Sequence, residues 1–156
     1  MLLRTARHWP EADTSVTKLV NRLFRLRDLI LEESAREMAR FELSPVEFAV
    51  LSSLRKLAPP REMRPSELYN AMVVTSGGMT KILKNLETRQ LVKRLPDPTD
   101  GRSVRIRLSE SGATLIEEAL ATVQASQAAM LAKAADSSAV ARLADSLAAF
   151  TSTLDR

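Results

Sequence analysis

The sequence has no cysteine and one histidine, His8, among its 156 residues. Without cysteine the chain has no disulfides, thiolate metal sites or thiol-based redox sensing. One histidine cannot anchor a protein-only zinc site of the usual kind, so we expect no metal and no cofactor. An enzyme would therefore need a carboxylate pair, but Glu32–Glu33 and Glu117–Glu118 are neighbours that do not share a helix face. We interpret these glutamates as solvated surface and expect no enzyme.

Long hydrophobic runs are also missing, since none approaches the roughly 20 residues that a membrane-spanning helix needs. The segment Met1–Arg4 has only two apolar residues before its first charge, which does not fit a signal peptide. Apolar residues make up 45% and charged residues 27% of the chain, as in ordinary globular proteins. We expect a cytoplasmic protein with a single domain over residues 1–156.

Positive charge is what the chain has in excess, and it is concentrated in the middle. The net charge is +4. Residues 61–108 hold ten Lys and Arg against five Asp and Glu, whereas residues 109–156 hold three against six. A nucleic-acid surface is therefore expected in the central segment.

The apolar periodicity predicts a mainly α fold with a small β-wing, in the order α-α-α-α-β-β-α-α. The second helix has the pattern of a capping box, with Ser44 as the N-cap, Pro45 at the first helical position and Glu47 three residues after the cap. The predicted helices span 14–40, 44–57, 65–72, 76–90, 110–134 and 137–154. The predicted hairpin has a strand over 91–95, a loop over 96–101 and a return strand over 103–108 whose outer face is basic.

The helix predicted from Ser76 has two chemically different faces. One is apolar and contains Met79, Ile82, Leu83 and Leu86. The other is polar and contains Thr80, Lys81 and Lys84. Such a helix fits a DNA major groove, and Ser76, Gly77 and Gly78 at its start allow close approach to the DNA backbone. The preceding short helix and a turn at 73–75 would complete a helix-turn-helix. The alternative is an ordinary amphipathic helix with a solvated charged face.

The basic hairpin follows this helix directly, as in a winged helix, where the wing tip reaches the minor groove. The alternative for its arginines is an ordinary surface strand.

The wing resembles that of the MarR family, which carries Asp-x-Arg and then Leu-Thr before the next helix. Here these positions read Asp100-Gly101-Arg102 and Leu108-Ser109, and residues 76–92 are similar to a MarR recognition helix leading into its wing. The resemblance implies that Arg102 enters the minor groove and that Asp100 holds it by an ion pair. Ser109 replaces the usual threonine but can still cap the next helix. Gln90 stands where the family has a helix-ending glycine.

The resemblance also implies a homodimer, with a DNA-binding lobe over 43–109 and a dimerisation lobe over 14–40 and 110–155. The apolar seams on the first and last helices support this independently, and packing within one chain is the alternative for either seam.

Family members often release DNA when a small aromatic or phenolic effector binds between the lobes. The segment containing Trp9 resembles the branch with urate-responsive regulators, but that branch's ligand-binding Asp and Arg fall on Ala49 and Ile82. A urate site is therefore not expected. Trp9, Phe24 and Phe48 are the candidate effector pocket, and the alternative for Trp9 is a core anchor.

The sequence thus predicts a homodimeric transcriptional regulator, a repressor, that binds a pseudo-palindromic operator in double-stranded DNA. An architectural or nonspecific DNA-binding protein is the alternative function. The residues expected at the DNA are Ser76, Gly77, Gly78, Thr80, Lys81, Lys84, Asp100, Arg102 and Arg105.

Overall fold

The computed structural model describes residues 9, 11, 13–71 and 76–154. The elements within these ranges are, in chain order, α1 (Ser15–Ala39), α2 (Pro45–Arg55), β1 (Glu62–Met63), α3 (Pro65–Ala71), α4 (Ser76–Thr88), β2 (Val92–Asp97), β3 (Asp100–Leu108), α5 (Glu110–Ala132) and α6 (Ser137–Leu154). The predicted class, mainly helical with a small sheet, is confirmed.

Side-chain caps define where the main helices begin. The Ser44 hydroxyl accepts the Glu47 backbone N–H, and the Glu47 carboxylate accepts the Ser44 N–H, so the predicted capping box is present. Ser109 caps α5 by accepting the N–H of Gly112 at 2.9 Å. Thr14 caps α1 in the same way. These caps satisfy backbone donors that the first helical turn leaves without partners.

The core lies between α2, α4, the wing and the start of α5. Leu51, Leu54, Leu68, Leu86 and Ile106 are all fully buried there. Because α4 and the base of both long wing strands contribute to one core, the hydrophobic effect fixes the helix and the base of the wing relative to each other.

The wing is a three-stranded antiparallel sheet in the order β1-β3-β2. The predicted hairpin is present as β2 and β3, but the third strand, β1, was missed because it has only two residues and shows no alternation in the sequence. Its residues pair with β3 as Glu62↔Arg107 and Met63↔Ile106. The predicted loop over 96–101 was too long, since β2 continues to Asp97 and β3 begins at Asp100.

The recognition-type helix α4 ends two residues earlier than predicted, because Gln90 adopts a left-handed conformation with φ of 58°. The Leu91 N–H donates to the Leu86 carbonyl at 2.9 Å, as in a Schellman motif. The Gln90 carbonyl accepts the hydroxyls of Ser109 at 2.7 Å and Ser111 at 2.9 Å. A glutamine thus takes the role of the family's helix-ending glycine.

Gly112 allows α5 to pass very close to the start of the wing. A Cβ atom at this position would lie 2.1 Å from the Leu91 carbonyl oxygen and 3.0 Å from a Leu108 methyl carbon. Only glycine therefore fits without movement of the backbone.

Of the glutamates interpreted as solvated surface, Glu117 is exposed but Glu33 is half-buried, so that prediction was wrong for Glu33. Glu33 accepts a hydrogen bond from Ser126, which joins α1 to α5. Glu117 forms an ion pair with Arg55, which joins α5 to α2. Packing of these helices places both carboxylates at helix–helix contacts, which the sequence spacing does not reveal.

The last helix has little to pack against in its own chain, and within the described ranges none of its residues is buried. Leu143, Phe150 and Leu154 are 50%, 63% and 81% exposed. Apolar residues of α1 are exposed as well, among them Val16 and Leu19. No helix in the described ranges has both the length and the hydropathy needed to cross a membrane.

Candidate nucleic-acid interface

The two faces predicted for α4 are present. Met79, Leu83 and Leu86 are 2% exposed or less and pack into the core. Thr80, Lys81 and Lys84 are exposed on the opposite side. This arrangement places a hydroxyl and two ammonium groups on the exposed side of a helix whose other side is fixed.

Several other predicted residues lie at the start of α4. Ser76 and Gly77 belong to the helix backbone, but the Ser76 side chain and the surroundings of Gly77 fall outside what the structure describes. Gly78 is half-buried. The predicted turn at 73–75 also lies outside the described residues.

A buried carboxylate, which the sequence interpretation did not assign to the site, anchors α4. Glu47 is 7% exposed and accepts a hydrogen bond from Asn85 on α4. Burial raises the pKa of Glu47, but hydrogen bonds from Ser44 and Asn85 and the charge of Arg89 outweigh it and leave the pKa below its ordinary value. The carboxylate is therefore charged at neutral pH and ties α4 to the start of α2.

Arg89 fixes the other end of α4. Its Nη1 donates to the Glu42 carbonyl at 2.7 Å and its Nη2 to the Phe41 carbonyl at 3.1 Å. Both carbonyls follow the end of α1, so the orientation of α4 is coupled directly to α1. No local pattern links these residues, which are 47 and 48 positions apart.

In the wing, Arg105 contacts a carboxylate rather than projecting freely. Its Nε donates to Asp97 at 3.2 Å, and Arg64 donates to the same Asp97 oxygen at 2.8 Å. Hydrogen bonds from Arg64 and Thr99 hold the pKa of Asp97 well below its usual range. The Arg105 side chain is still 31% exposed, so its role in DNA binding stays a prediction.

The Asp-x-Arg segment lies at the start of β3. Asp100 accepts a hydrogen bond from the Ser103 hydroxyl at 2.6 Å. The Arg102 backbone belongs to the strand, but its side chain falls outside the described residues, and so does the predicted ion pair with Asp100.

A cavity of about 340 Å³ lies between α5 and α2, the helix whose Glu47 binds α4. Its apolar lining includes Phe48, Ile116 and Leu120, and its polar lining includes Ser52 and Lys56. Phe48 is the one member of the candidate effector pocket that lines this cavity. Trp9 and Phe24 do not line it, and they are 65% and 54% exposed. Ala49, onto which the resemblance to the urate-responsive branch would place an Asp, lines the cavity too.

Comparison with known proteins shows which family shares this combination of α4 and the wing. Residues 43–104 match the MarR family. An HTH-type transcriptional regulator of Mycobacterium tuberculosis (strain CDC 1551 / Oshkosh) is 36% identical over 60% of this chain and 73% of its own length. The chain belongs to the MarR family. Members of this family are transcriptional regulators, not enzymes.

Other members show how far the similarity extends. The regulator PecS of Dickeya dadantii (strain 3937) is 31% identical over 69% of this chain, and the match spans 64% of the length of PecS. The wild-type apo structure of MarR from E. coli superposes with a TM-score of 0.76 at 27% identity, over 83% of this chain and 94% of MarR. A mutant MarR from E. coli complexed with operator DNA superposes with a TM-score of 0.68 at 25% identity, over 86% and 94%.

The chemistry of this MarR-type surface is that of charge and hydrogen bonding. In the part of the chain that the structure describes, no three His, Asp or Glu side chains form a group that could hold a metal ion. The exposed hydroxyl and ammonium groups of α4 suit an anionic partner.

Proposed function

We propose that this protein is a homodimeric transcriptional repressor that binds a pseudo-palindromic operator and is released by a small aromatic or phenolic effector. The observation that carries the proposal is α4 itself, which exposes Thr80, Lys81 and Lys84 while its other face is buried beside the wing. A helix fixed in this way can lie in a major groove while the wing reaches the neighbouring minor groove.

The relatives support DNA as the partner. They are named as transcriptional regulators, and one structural neighbour was solved in complex with operator DNA. We assign DNA positions to this chain from the exposed face of α4. In this assignment, Thr80 and Lys81 read base edges and Lys84 contacts phosphate.

The exposed apolar surface of α1 and α6 supports the homodimer. Phe24, Leu143 and Phe150 are each at least half exposed in the single chain. Exposed apolar patches of this kind mark association surfaces, and a second copy of the chain offers the same patch by symmetry.

The cavity between α2 and α5 supports an effector site. Its walls are aromatic and aliphatic, and Arg55 and Glu117 also line it but pair with each other. The ammonium group of Lys56 is then the charge that suits the carboxylate of a small aromatic acid. Glu47 neighbours Phe48 on α2 and binds Asn85 of α4. A ligand that displaces α2 would therefore also change the position of α4.

The test is a binding titration with fluorescently labelled DNA from the region flanking the protein's own gene, against a scrambled duplex of equal length and composition. A sequence-specific regulator should prefer its operator by about 10³-fold or more. Candidate aromatic acids are then added to the preformed complex, and we expect them to release the DNA.

Equal affinity for both duplexes would contradict the proposal and favour an architectural or nonspecific DNA-binding protein. Operator preference without release by any acid in the panel would leave the operator assignment standing and remove the effector class.

A further inference from the structure

Asp97, at the end of β2, binds two arginines from different parts of the fold. Its side chain has no exposure to solvent, and its Oδ2 accepts the Nε–H groups of Arg64 at 2.8 Å and Arg105 at 3.2 Å. Its Oδ1 accepts the backbone N–H and the hydroxyl of Thr99 at 2.9 Å and 2.7 Å. One carboxylate thus closes the turn at the wing tip and binds both cations.

Arg64 connects this turn to the helix-turn-helix, which consists of α3, α4 and the residues between them. It directly precedes α3, and its backbone N–H donates to the Glu67 carboxylate at 2.6 Å. Its Nη2 also donates to the Thr99 hydroxyl at 3.1 Å. The backbone of Arg64 is therefore held by the helix-turn-helix, while its guanidinium group binds the turn.

The wing needs such a connection because its strand pairing to the rest of the fold is short. β1 pairs with β3 only through Glu62 and Met63, so the outer part of the wing is a two-stranded ribbon. Two-stranded ribbons twist strongly and are only marginally stable on their own. Arg64 extends the attachment from the base of the wing to the turn at its tip.

We propose that Arg64 is a positioning residue for DNA binding. Through Asp97 and Thr99 it holds the wing tip in a fixed place relative to the helix-turn-helix, so that α4 and the wing enter adjacent grooves of one duplex. This inference rests on the proposed function as a DNA-binding regulator. Arg64 acts through the wing and not through a DNA contact of its own.

The experiment compares Arg64→Met with a matched control, Arg107→Met. Both arginines are adjacent to β1, both form one ion pair, and their side chains are 40% and 42% exposed. Each substitution removes one positive charge, but Arg107 is paired with Glu62 and not with the wing tip. We expect Arg64→Met to bind the operator on the order of tenfold more weakly than Arg107→Met, the lower end of the effect of losing a good contact.

Two further measurements separate positioning from a direct contact. The first replaces the A·T-rich flanks of the operator, where the wing is expected to bind, by G·C pairs. Wild type and Arg107→Met should lose affinity on this duplex. Arg64→Met should lose little further affinity, because its wing no longer binds these flanks. The second is a double-mutant cycle with Asp97→Asn, in which Arg64→Met should have little further effect because the connection is already broken. Thr99→Val serves in the same cycle if Asp97→Asn does not fold.

Equal operator affinity of Arg64→Met and Arg107→Met, with wild-type operator preference intact, would overturn this inference alone. So would a loss that is the same in the Asp97→Asn background, since that indicates a direct phosphate contact. A wild-type protein without operator preference would overturn the proposed function, and this inference with it.

Discussion

At the scale of single residues, Gly112 determines how closely α5 approaches the wing. Alanine favours helix over glycine by about 1 kcal/mol, so Gly112→Ala would stabilise an isolated α5. Here the new Cβ would overlap the Leu91 carbonyl oxygen, which belongs to the backbone and cannot rotate away. We expect a net loss on the order of 1–3 kcal/mol in the free energy of unfolding, typical of overpacking.

Thermal unfolding of Gly112→Ala checks this expectation, with Thr114→Ala as the control at an exposed position of the same helix. A Gly112→Ala protein as stable as wild type would mean that the helix and the wing can separate at no cost.

Arg102 carries the second prediction at this scale. Arginine is attracted by shape and potential to the narrow minor groove of A·T-rich DNA. Arg102→Ala should therefore cost on the order of 1–3 kcal/mol of DNA affinity. Arg102→Lys should restore only part of it, because lysine is a more strongly hydrated point charge. Asp100→Ala should cause a smaller loss of the same kind, because the predicted ion pair no longer holds Arg102.

Operator affinity and melting temperature are measured on the same three variants. Wild-type affinity for Arg102→Ala, or a loss that parallels a loss of stability, would contradict the role of the wing tip.

At the scale of elements, α4 should divide into residues that read the sequence and a residue that contacts the backbone. Replacing both Thr80 and Lys81 by alanine should relax the preference for the operator over a scrambled duplex. Lys84→Ala should instead weaken binding to all duplexes alike and lower the slope of log K against log salt by about 1. Full operator preference in the Thr80→Ala, Lys81→Ala double variant would mean that another element reads the bases.

The elements themselves were largely predictable from local sequence. The capping box at Ser44 and Glu47 and the apolar periodicity of α4 lie within a few residues, and each fixes a boundary or a face. The contacts that could not be predicted from the sequence are non-local. The Glu47–Asn85 bond and the pair formed by Arg64 and Asp97 join residues 38 and 33 positions apart. One local signal set Arg64 apart, since it occupies the position before a helix where Ser, Thr, Asp or Asn is usual.

At the scale of the whole molecule, the exposed seams of α1 and α6 predict a two-fold dimer. Recognition helices related by that axis should enter major grooves one helical turn apart, roughly 10 base pairs between half-site centres. Replacing Leu143 and Phe150 by glutamate should break the dimer and reduce operator affinity, because each half-site alone binds weakly.

Light scattering and operator binding are measured together for this variant, with Arg142→Glu as a control for added negative charge on the same exposed helix. A wild-type protein that scatters as a monomer at micromolar concentration would contradict the prediction.

The lack of buried residues in α6 also has a consequence for the order of events in folding. Helices in proteins gain most of their stability from packing of an apolar face, because nucleation of an isolated helix is costly. Within the described chain α6 buries none of its 18 residues, so little in the monomer stabilises it once formed. In stopped-flow refolding, the core around α2 and α4 should therefore form at a rate independent of protein concentration. The final gain of helical circular dichroism should be second order and accelerate as the concentration rises.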